Sequence, residues 1–380
     1  MKVIVFEDHR ALDLEPISLT RAVFDIRCGA NTFIERIKKL NLIEVSALMV
    51  RDELVGVTRD CHPGISVNPD TFDDGIWLNG SVLWSADQIE KIKSTPETAF
   101  FNSKDLVALN LSPEAINQWI FDGGPLSVKI PKGIIKKEIK VIKANYLWDI
   151  LNWIPETVQE VSEQISSIPV GPNVAIDESD GPVIVSENVT IQPFVFLKGP
   201  VFIGSGSTIT AHSKIEKCII GPGSKIGGEV HGTIFHGWSN KVHDGHLGDS
   251  FVGEWVNFGA GTTNSNLKNN YSPVSIKVNG KKINSDLLYL GLFIGDHSKT
   301  AIGTQFNTGT NVGVGCNIIS HTFPNRYIPS FTFQYKDYNK NMDFDQFLET
   351  ASKVKVRRDQ LLTKTEITLL RKIFLSRHNS

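Results

Sequence analysis

The chain has 380 residues, enough for two domains and a terminal appendage, and 39 Lys plus Arg stand against 41 Asp plus Glu, a formal charge of -2. That balance argues against a nucleic-acid-binding surface and against an acidic tail for a charged partner. Cys28, Cys61, Cys218 and Cys316 lie far apart with no CxxC, which predicts reduced thiols in a cytoplasmic protein rather than disulfides or a zinc site. The opening MKVIVFEDHRALD turns charged too early for a signal peptide, and no apolar run approaches the ~20 residues of a membrane span.

Residues 1–155 do not repeat. Val3–Phe6 reads as a buried strand followed by a polar loop, and Asn31 or Thr32 can cap a helix over Phe33–Leu40 with Ile34, Ile37 and Leu40 on one face. Ala47–Val50 follows as a strand, so strand, helix and strand predict a small α/β sandwich with a parallel sheet. Asp87–Lys93 looks helical, and Ser112-Pro113-Glu114 starts another helix with proline in its first turn. Tyr146–Ile154 and a polar helix over Glu156–Ile165 lead out of the domain, giving a linker helix at 156–168.

From about Pro169 to His321 an aliphatic or small residue returns every sixth position. Val183, Val189, Val195 and Val201 make one ladder, and Ile203, Ile209 and Ile215 another; Ile220 with Ile226 and Val252 with Phe258 continue the pattern. The longest run is Ile294, Thr300, Phe306, Val312, Ile318. Neither a helix nor an alternating strand has this period. Hexapeptide repeats build a parallel β-helix, in which three short strands make a triangular coil around a shared core. The repeat domain is set at 169–322 and breaks once, between Asn266 and Gly291. There Ser275–Val278 and Lys282–Ser285 flank Asn279-Gly280, a type I′ hairpin signal. Such a hairpin either walls off a site or is a plain surface loop.

The period is lost after Pro324, and 323–380 reads as a helical appendage. Phe344–Leu362 and Glu366–Arg377 are two amphipathic helices, the second opened by the capping box Thr363-x-x-Glu366. Its stripe of Ile367, Leu370, Ile373 and Phe374 predicts packing against the solenoid or a neighbouring subunit.

The segment from Ser239 to Thr262, SNKVHDGHLGDSFVGEWVNFGAGT, goes beyond a generic hexapeptide pattern. It resembles the acetyltransferase half of the bifunctional N-acetylglucosamine-1-phosphate uridylyltransferase / glucosamine-1-phosphate N-acetyltransferase family. The whole chain is similar to a shorter variant of that family, a sugar nucleotidyltransferase with a left-handed β-helix. Val5-Phe-Glu-Asp8, Pro16-x-x-x-Thr-Arg21, Asp25-Ile-Arg27-x-Gly29 and Trp148-Asp-Ile150 carry the match in the first half. Asn266-x-Lys-Asn-Asn-Tyr271, Gly295-Asp-His-Ser-Lys-Thr300 and Asn307-Thr-Gly-Thr310 extend it.

The resemblance implies a nucleotidyltransferase-like α/β domain, a left-handed β-helix acyltransferase domain and a homotrimer with acyl-CoA sites between adjacent β-helices. Anchored on Leu247-Gly248-Asp249, the family's base falls on His243, with His246 next in line, and its two asparagines fall on Asn257 and Asn266. These residue types suit the chemistry. An imidazole takes a proton near neutral pH as an amine attacks a thioester, contributing ~10²–10⁴-fold, and asparagine amides hold hydroxyls or a developing oxyanion. Backbone at Gly259, Ala260 and Gly261 is expected to approach acetyl-CoA closely, since little side chain intervenes. Against this, a histidine at a solenoid corner is often only a surface residue, and His231, His236, His297 and His321 lie nearby too.

The chain departs from the family in three places. His246 and Leu267 replace tyrosines in the motif that positions the acceptor sugar. The loop after the first strand, Glu7 to Pro16, has no glycine where the family's glycine-rich loop supplies phosphate-binding amides. Arg10, Arg21 and Arg27 are then the candidate nucleotide-binding forks, or else ordinary ion-pairing arginines. Asp8, or Glu7, is the candidate Mg²⁺ ligand just past the strand end. The Asn79-Gly80 turn either meets the nucleotide or is a simple turn.

The leading expectation is a bifunctional enzyme of nucleotide-sugar synthesis. It would transfer an acetyl group from acetyl-CoA to an amino-sugar 1-phosphate such as glucosamine-1-phosphate. It would then transfer a nucleotidyl group from a triphosphate, giving UDP-N-acetylglucosamine or a similar product. The alternatives are a single-activity nucleotidyltransferase or acetyltransferase with the other domain degenerate, and a non-catalytic sugar-nucleotide-binding scaffold.

Overall fold

A computed structural model of the chain describes residues 2–40, 43–72, 75–127, 129–130, 133–162, 171–320, 322–335 and 338–376. The expected start of the repeat at Pro169, the end of the linker helix at Ile165, His321 and the last helical residue Arg377 lie outside the described residues. The chain divides into two compact units. The first comprises Met1–Leu14, Arg21–Ile26 and Asn31–Asn145; the second comprises Glu15–Thr20, Arg27–Ala30 and Tyr146–Ser380.

The first unit is built on a seven-stranded mixed sheet. Its strands are β1 (Lys2–Phe6), β2 (Glu44–Met49), β3 (Ser66–Val67), β4 (Ile76–Asn79), β5 (Thr98–Asn102), β6 (Asp105–Asn110) and β7 (Ile135–Glu138), in the order β7-β5-β6-β4-β1-β2-β3. β1 pairs parallel with β2 on one side and with β4 on the other, so the chain reverses its direction of travel across the sheet beside β1. β6 runs antiparallel to both β4 and β5. The helices are α1 (Phe33–Lys39), α2 (Val55–Cys61), α3 (Ala86–Lys93) and α4 (Pro113–Phe121). α1 starts where the sequence predicts: Thr32 caps it in a capping box with Glu35 and buries Phe33, Ile34 and Ile37. Leu40, expected on that face, instead forms the C-cap. Trp77 and Trp119, both fully buried, meet edge-on at 5.3 Å beside Phe6. Truncating either would cost about 3–5 kcal/mol.

The second unit is a parallel β-helix. Along one face the rungs pair Ala175 with Phe196, Phe196 with Lys214, Lys214 with Glu229 and Glu229 with His246. A second face runs from Val183 through Val201, Cys218 and Ile220 to Phe235, Val252, Ile294, Val312 and Ile328. A third runs from Thr190 through Thr208, Lys225 and Asn240, and single bridges carry it on through Asn257 to Lys299. Every sixth residue points inward, and the ladder residues Val183 to Ile318 named from the sequence supply most of one continuous apolar core. The break in the period is the hairpin β8 (Ser275–Val278) and β9 (Lys281–Asn284). Asn279 and Gly280 both have positive φ, as a type I′ turn requires.

Helices flank the coils within this unit. α5 (Leu147–Asn152), which the sequence places at the exit of the first domain, groups here because Trp148 packs edge-on against Phe293 and stacks on Tyr146. α6 (Ile154–Ser162) follows directly, and Thr157 stands where a side chain at Gly29 would fall, at 2.6 Å. α7 (Phe344–Val356) and α8 (Lys364–Ser376) bury Phe344, Phe347, Ala351 and Leu370 together with Val314 and Phe331. Thr363 and Glu366 make the expected capping box. α7 stops earlier than the predicted Leu362, turning at Arg357 to Asp359 with Asp359 at positive φ.

Candidate functional sites in the two units

In the first unit, polar side chains gather at the C-terminal ends of β1 and β4, where the strand order reverses and α/β sheets bind their ligands. Asp8 follows β1. Its Oδ1 accepts from the Arg10 amide at 2.9 Å, and its Oδ2 accepts from Asn79 Nδ2 at 2.8 Å. Asn79 is fully buried, and its Oδ1 also accepts from the Ser81 amide and hydroxyl. Of the two readings of the Asn79-Gly80 turn, neither foresaw this inward link to Asp8. Asp105, at the start of β6, pairs with Arg10 Nη1 at 3.1 Å, and Arg10 Nε pairs with Asp13 at 3.2 Å. Lys143 reaches both Asp8 Oδ2 at 3.4 Å and Asp105 Oδ2 at 3.3 Å. Beside this cluster Phe6, Asp8, His9, Lys104, Leu106 and Ser127 line a small, open cleft.

The three arginines singled out by sequence part company. Arg10 joins the cluster. Arg21 is half-buried at the start of its own stretch of the first unit. Arg27 belongs to the second unit, where it is buried and donates from Nε to the His236 carbonyl at 2.8 Å and from Nη1 to the Ala30 carbonyl at 2.7 Å. A guanidinium so committed to backbone carbonyls is an anchor for its own loop. Glu7, the alternative metal ligand, points inward: Arg51 donates to Oε1 from its amide at 2.7 Å and its Nε at 2.8 Å. Burial raises its pKa despite Arg51.

The sequence did not reveal Asn79, Asp105 or Lys143 as a group. Asp105 and Lys143 carry no motif, and only strand pairing brings them to Asp8.

The cluster bears on a metal at Asp8. Mg²⁺ takes near-octahedral oxygen ligands at about 2.0–2.1 Å. Here both Asp8 oxygens already accept hydrogen bonds, and the position between Asp8 and Asp105 is held by an ammonium. These residues do not fit a resident divalent ion at Asp8. No group of three or more potential metal ligands gathers among the described residues.

In the second unit, His243 sits at an exposed corner between the strands Asn240–Lys241 and His246–Gly248. Its carbonyl accepts from Lys241 Nζ at 3.1 Å, and its imidazole makes no hydrogen bond or ion pair among the described residues. His246 lies one rung on, half-buried, with Nδ1 3.7 Å from Glu229 Oε2. Its Nε2 and the Asn266 Nδ2 stand 2.6 and 2.7 Å from the point where a Gly248 side chain would begin. Gly248 is clamped from behind by Asn264, whose Oδ1 accepts its amide at 2.8 Å and whose Nδ2 donates to its carbonyl at 2.9 Å. Asn266 in turn donates to Asp249 Oδ2 at 2.6 Å. The structure therefore brings His246, Asn266, Asp249 and Glu229 together, with His243 on the adjoining corner.

Asn257 lies on another face, exposed, accepting from Asn240 Nδ2 at 2.9 Å in an asparagine ladder.

The expected amide cradle is used differently. The Gly259 amide donates to the Thr300 carbonyl at 3.1 Å and hydroxyl at 3.0 Å, and the Gly261 amide donates to the Asp244 carbonyl at 3.0 Å. Gly303 donates to the Ala260 carbonyl at 2.7 Å. A side chain at Gly259 would meet the Ala301 backbone at 2.4 Å. The glycines of this stretch let coils stack closely, and the Gly259 and Gly261 amides are already satisfied.

Two lysines, Lys241 buried and Lys299 half-buried, mark the same coils. Lys241 Nζ donates to the Gly227, His243 and Gly245 carbonyls at 2.9, 3.1 and 2.7 Å. Burial lowers Lys241 to about 8, and it lowers Lys299 to about 8 as well.

Residues 3–166 match the family model described as sugar nucleotidyl transferase. Among known proteins, the chain is 32% identical over 146 residues to a "Bifunctional protein GlmU" of Methanocaldococcus jannaschii, covering 38% of this chain and 30% of that protein. It is 36% identical over 149 residues to a "Bifunctional sugar-1-phosphate nucleotidylyltransferase/acetyltransferase" of Sulfurisphaera tokodaii, covering 38% and 37%. A "Bifunctional protein GlmU" of Methanococcus aeolicus is 30% identical over 216 residues, covering 54% and 51%. The chain thus spans about a third to a half of the length of the relatives it matches.

Proposed function

We infer that this chain, related over part of its length to the bifunctional sugar-1-phosphate nucleotidylyltransferase/acetyltransferases, is an enzyme of nucleotide-sugar synthesis with both transferase activities. The β-helix would transfer an acetyl group from acetyl-CoA to an amino-sugar 1-phosphate such as glucosamine-1-phosphate. The first unit would join the sugar 1-phosphate to a nucleoside triphosphate and release pyrophosphate. The observation that carries the reading is the convergence of His246 Nε2 and Asn266 Nδ2 over the bare Gly248, beside the open imidazole of His243. In this reading His243 takes the proton from the sugar amine as nitrogen attacks the thioester carbon and the CoA thiolate leaves. His246, steadied by Glu229, and Asn266 hold the acceptor, and Asn257 lines the neighbouring face.

Nucleotidyl transfer is supported by the family match over residues 3–166. Mg²⁺ would arrive on the triphosphate. We further propose a cytoplasmic homotrimer, in keeping with Cys28, Cys61, Cys218 and Cys316 forming no disulfide. No helix among the described residues is long and apolar enough to cross a membrane.

One observation favours a second reading, a single-activity acetyltransferase: the first loop lacks glycine, and Arg10 and Lys143 are already paired with carboxylates. Incubation with acetyl-CoA, glucosamine-1-phosphate, UTP and Mg²⁺, with free thiol and pyrophosphate followed separately, tests both. Thiol with pyrophosphate supports the bifunctional enzyme, thiol alone the second reading, and neither sinks both.

A further inference from the structure

The carboxylates at the switch point of the first unit converge on a lysine. Lys143 sits on the short antiparallel pair of Ile142–Lys143 with Val82–Leu83, and its side chain is only 2% exposed. Its Nζ is wedged between Asp8 Oδ2 and Asp105 Oδ2, at 3.4 and 3.3 Å. A buried ammonium needs acceptors or opposite charge around it, and here two carboxylates supply both. Arg10 supplies the second cation through Asp105. A divalent ion bridging Asp8 and Asp105 would have to expel Lys143 and leave its charge buried without a partner.

We propose that Lys143 stands where a carboxylate-held divalent ion would otherwise sit, so that the position between Asp8 and Asp105 holds no resident metal. This goes beyond the proposed activity and departs from the sequence expectation of Mg²⁺ at Asp8.

Mn²⁺ alone, titrated into the full chain without nucleotide and followed by the electron paramagnetic resonance of the free ion, tests it. The wild-type chain is expected to bind no more Mn²⁺ than an Asp8→Asn/Asp105→Asn variant. Lys143→Gln is expected to gain a site at least about tenfold tighter, lost again in Lys143→Gln/Asp105→Asn. Tight Mn²⁺ binding by the wild-type chain that Asp8→Asn abolishes would overturn the proposal. So would a Lys143→Gln protein with native circular dichroism and no new site. If Lys143→Gln does not fold, the wild-type and Asp8→Asn arms still decide. The readout needs no turnover, so it stands apart from whether the domain transfers nucleotides.

Discussion

Thr20 Oγ1 donates to Asp296 Oδ2 at 2.7 Å across 276 positions of chain, while Asp296 Oδ1 accepts from the Glu254 amide at 2.8 Å. Two stretches quoted for the family resemblance, Pro16 to Arg21 and Gly295 to Thr300, are thereby tied to each other. Thr20→Val removes a hydroxyl donor to a buried carboxylate and should cost about 1–3 kcal/mol, read by chemical denaturation. Unchanged stability in Thr20→Val would show that this tie does not hold the two stretches together.

His243→Ala should lower acetyl transfer by about 10²–10⁴-fold, with the effect in kcat, because it would remove the proposed base from an exposed corner. His246→Ala should raise the KM for the sugar more than it lowers kcat. Steady-state thiol release for both variants checks the assignment, and a reversal of the two patterns would move the base to His246.

Lys299 gives the β-helix a pH dependence. Its folded value of about 8 lies below the ordinary 10.5 because the ammonium is buried, with the His297 carbonyl at 3.1 Å. Between those two values the unfolded chain keeps a proton the folded chain has released. Stability therefore rises with pH through this window, and the gain is lost as pH falls through 8. Lys299→Met should flatten thermal melting against pH between about 8 and 10.5. Lys241 has the same direction, but its three carbonyl acceptors make Lys299 the clearer test.

Gly259→Ala places a methyl group 2.4 Å from the Ala301 carbonyl carbon, a backbone atom that cannot swing aside. The expected loss is about 1–3 kcal/mol of stability. Differential scanning calorimetry should show the lowered melting temperature with or without acetyl-CoA, and a normal melt with weakened acetyl-CoA binding would restore the cradle role.

A homotrimer should sediment at three times the 42.1 kDa of one chain. Exposed Ile302 and Phe194 stand on the solenoid surface and are candidates for burial there. A clean monomer at micromolar concentration would remove the shared acyl-CoA site.

The sequence by itself determined the β-helix, because a six-residue period has one physical meaning: Val201, Ile209, Ile215 and Ile220 must share an interior. It also determined local devices whose cause is local, such as the Thr32 capping box and the Asn279-Gly280 turn. Only tertiary structure decided which polar residues meet. Asp8, Asn79, Asp105 and Lys143 come together through strand order, and His246 meets Asn266 because one coil lies over the next. Tertiary structure likewise took Arg27 to His236 and the Gly259 amide to Thr300. Residue type announces what a side chain can bind, but a buried guanidinium or amide bonds to whichever acceptor packing places beside it.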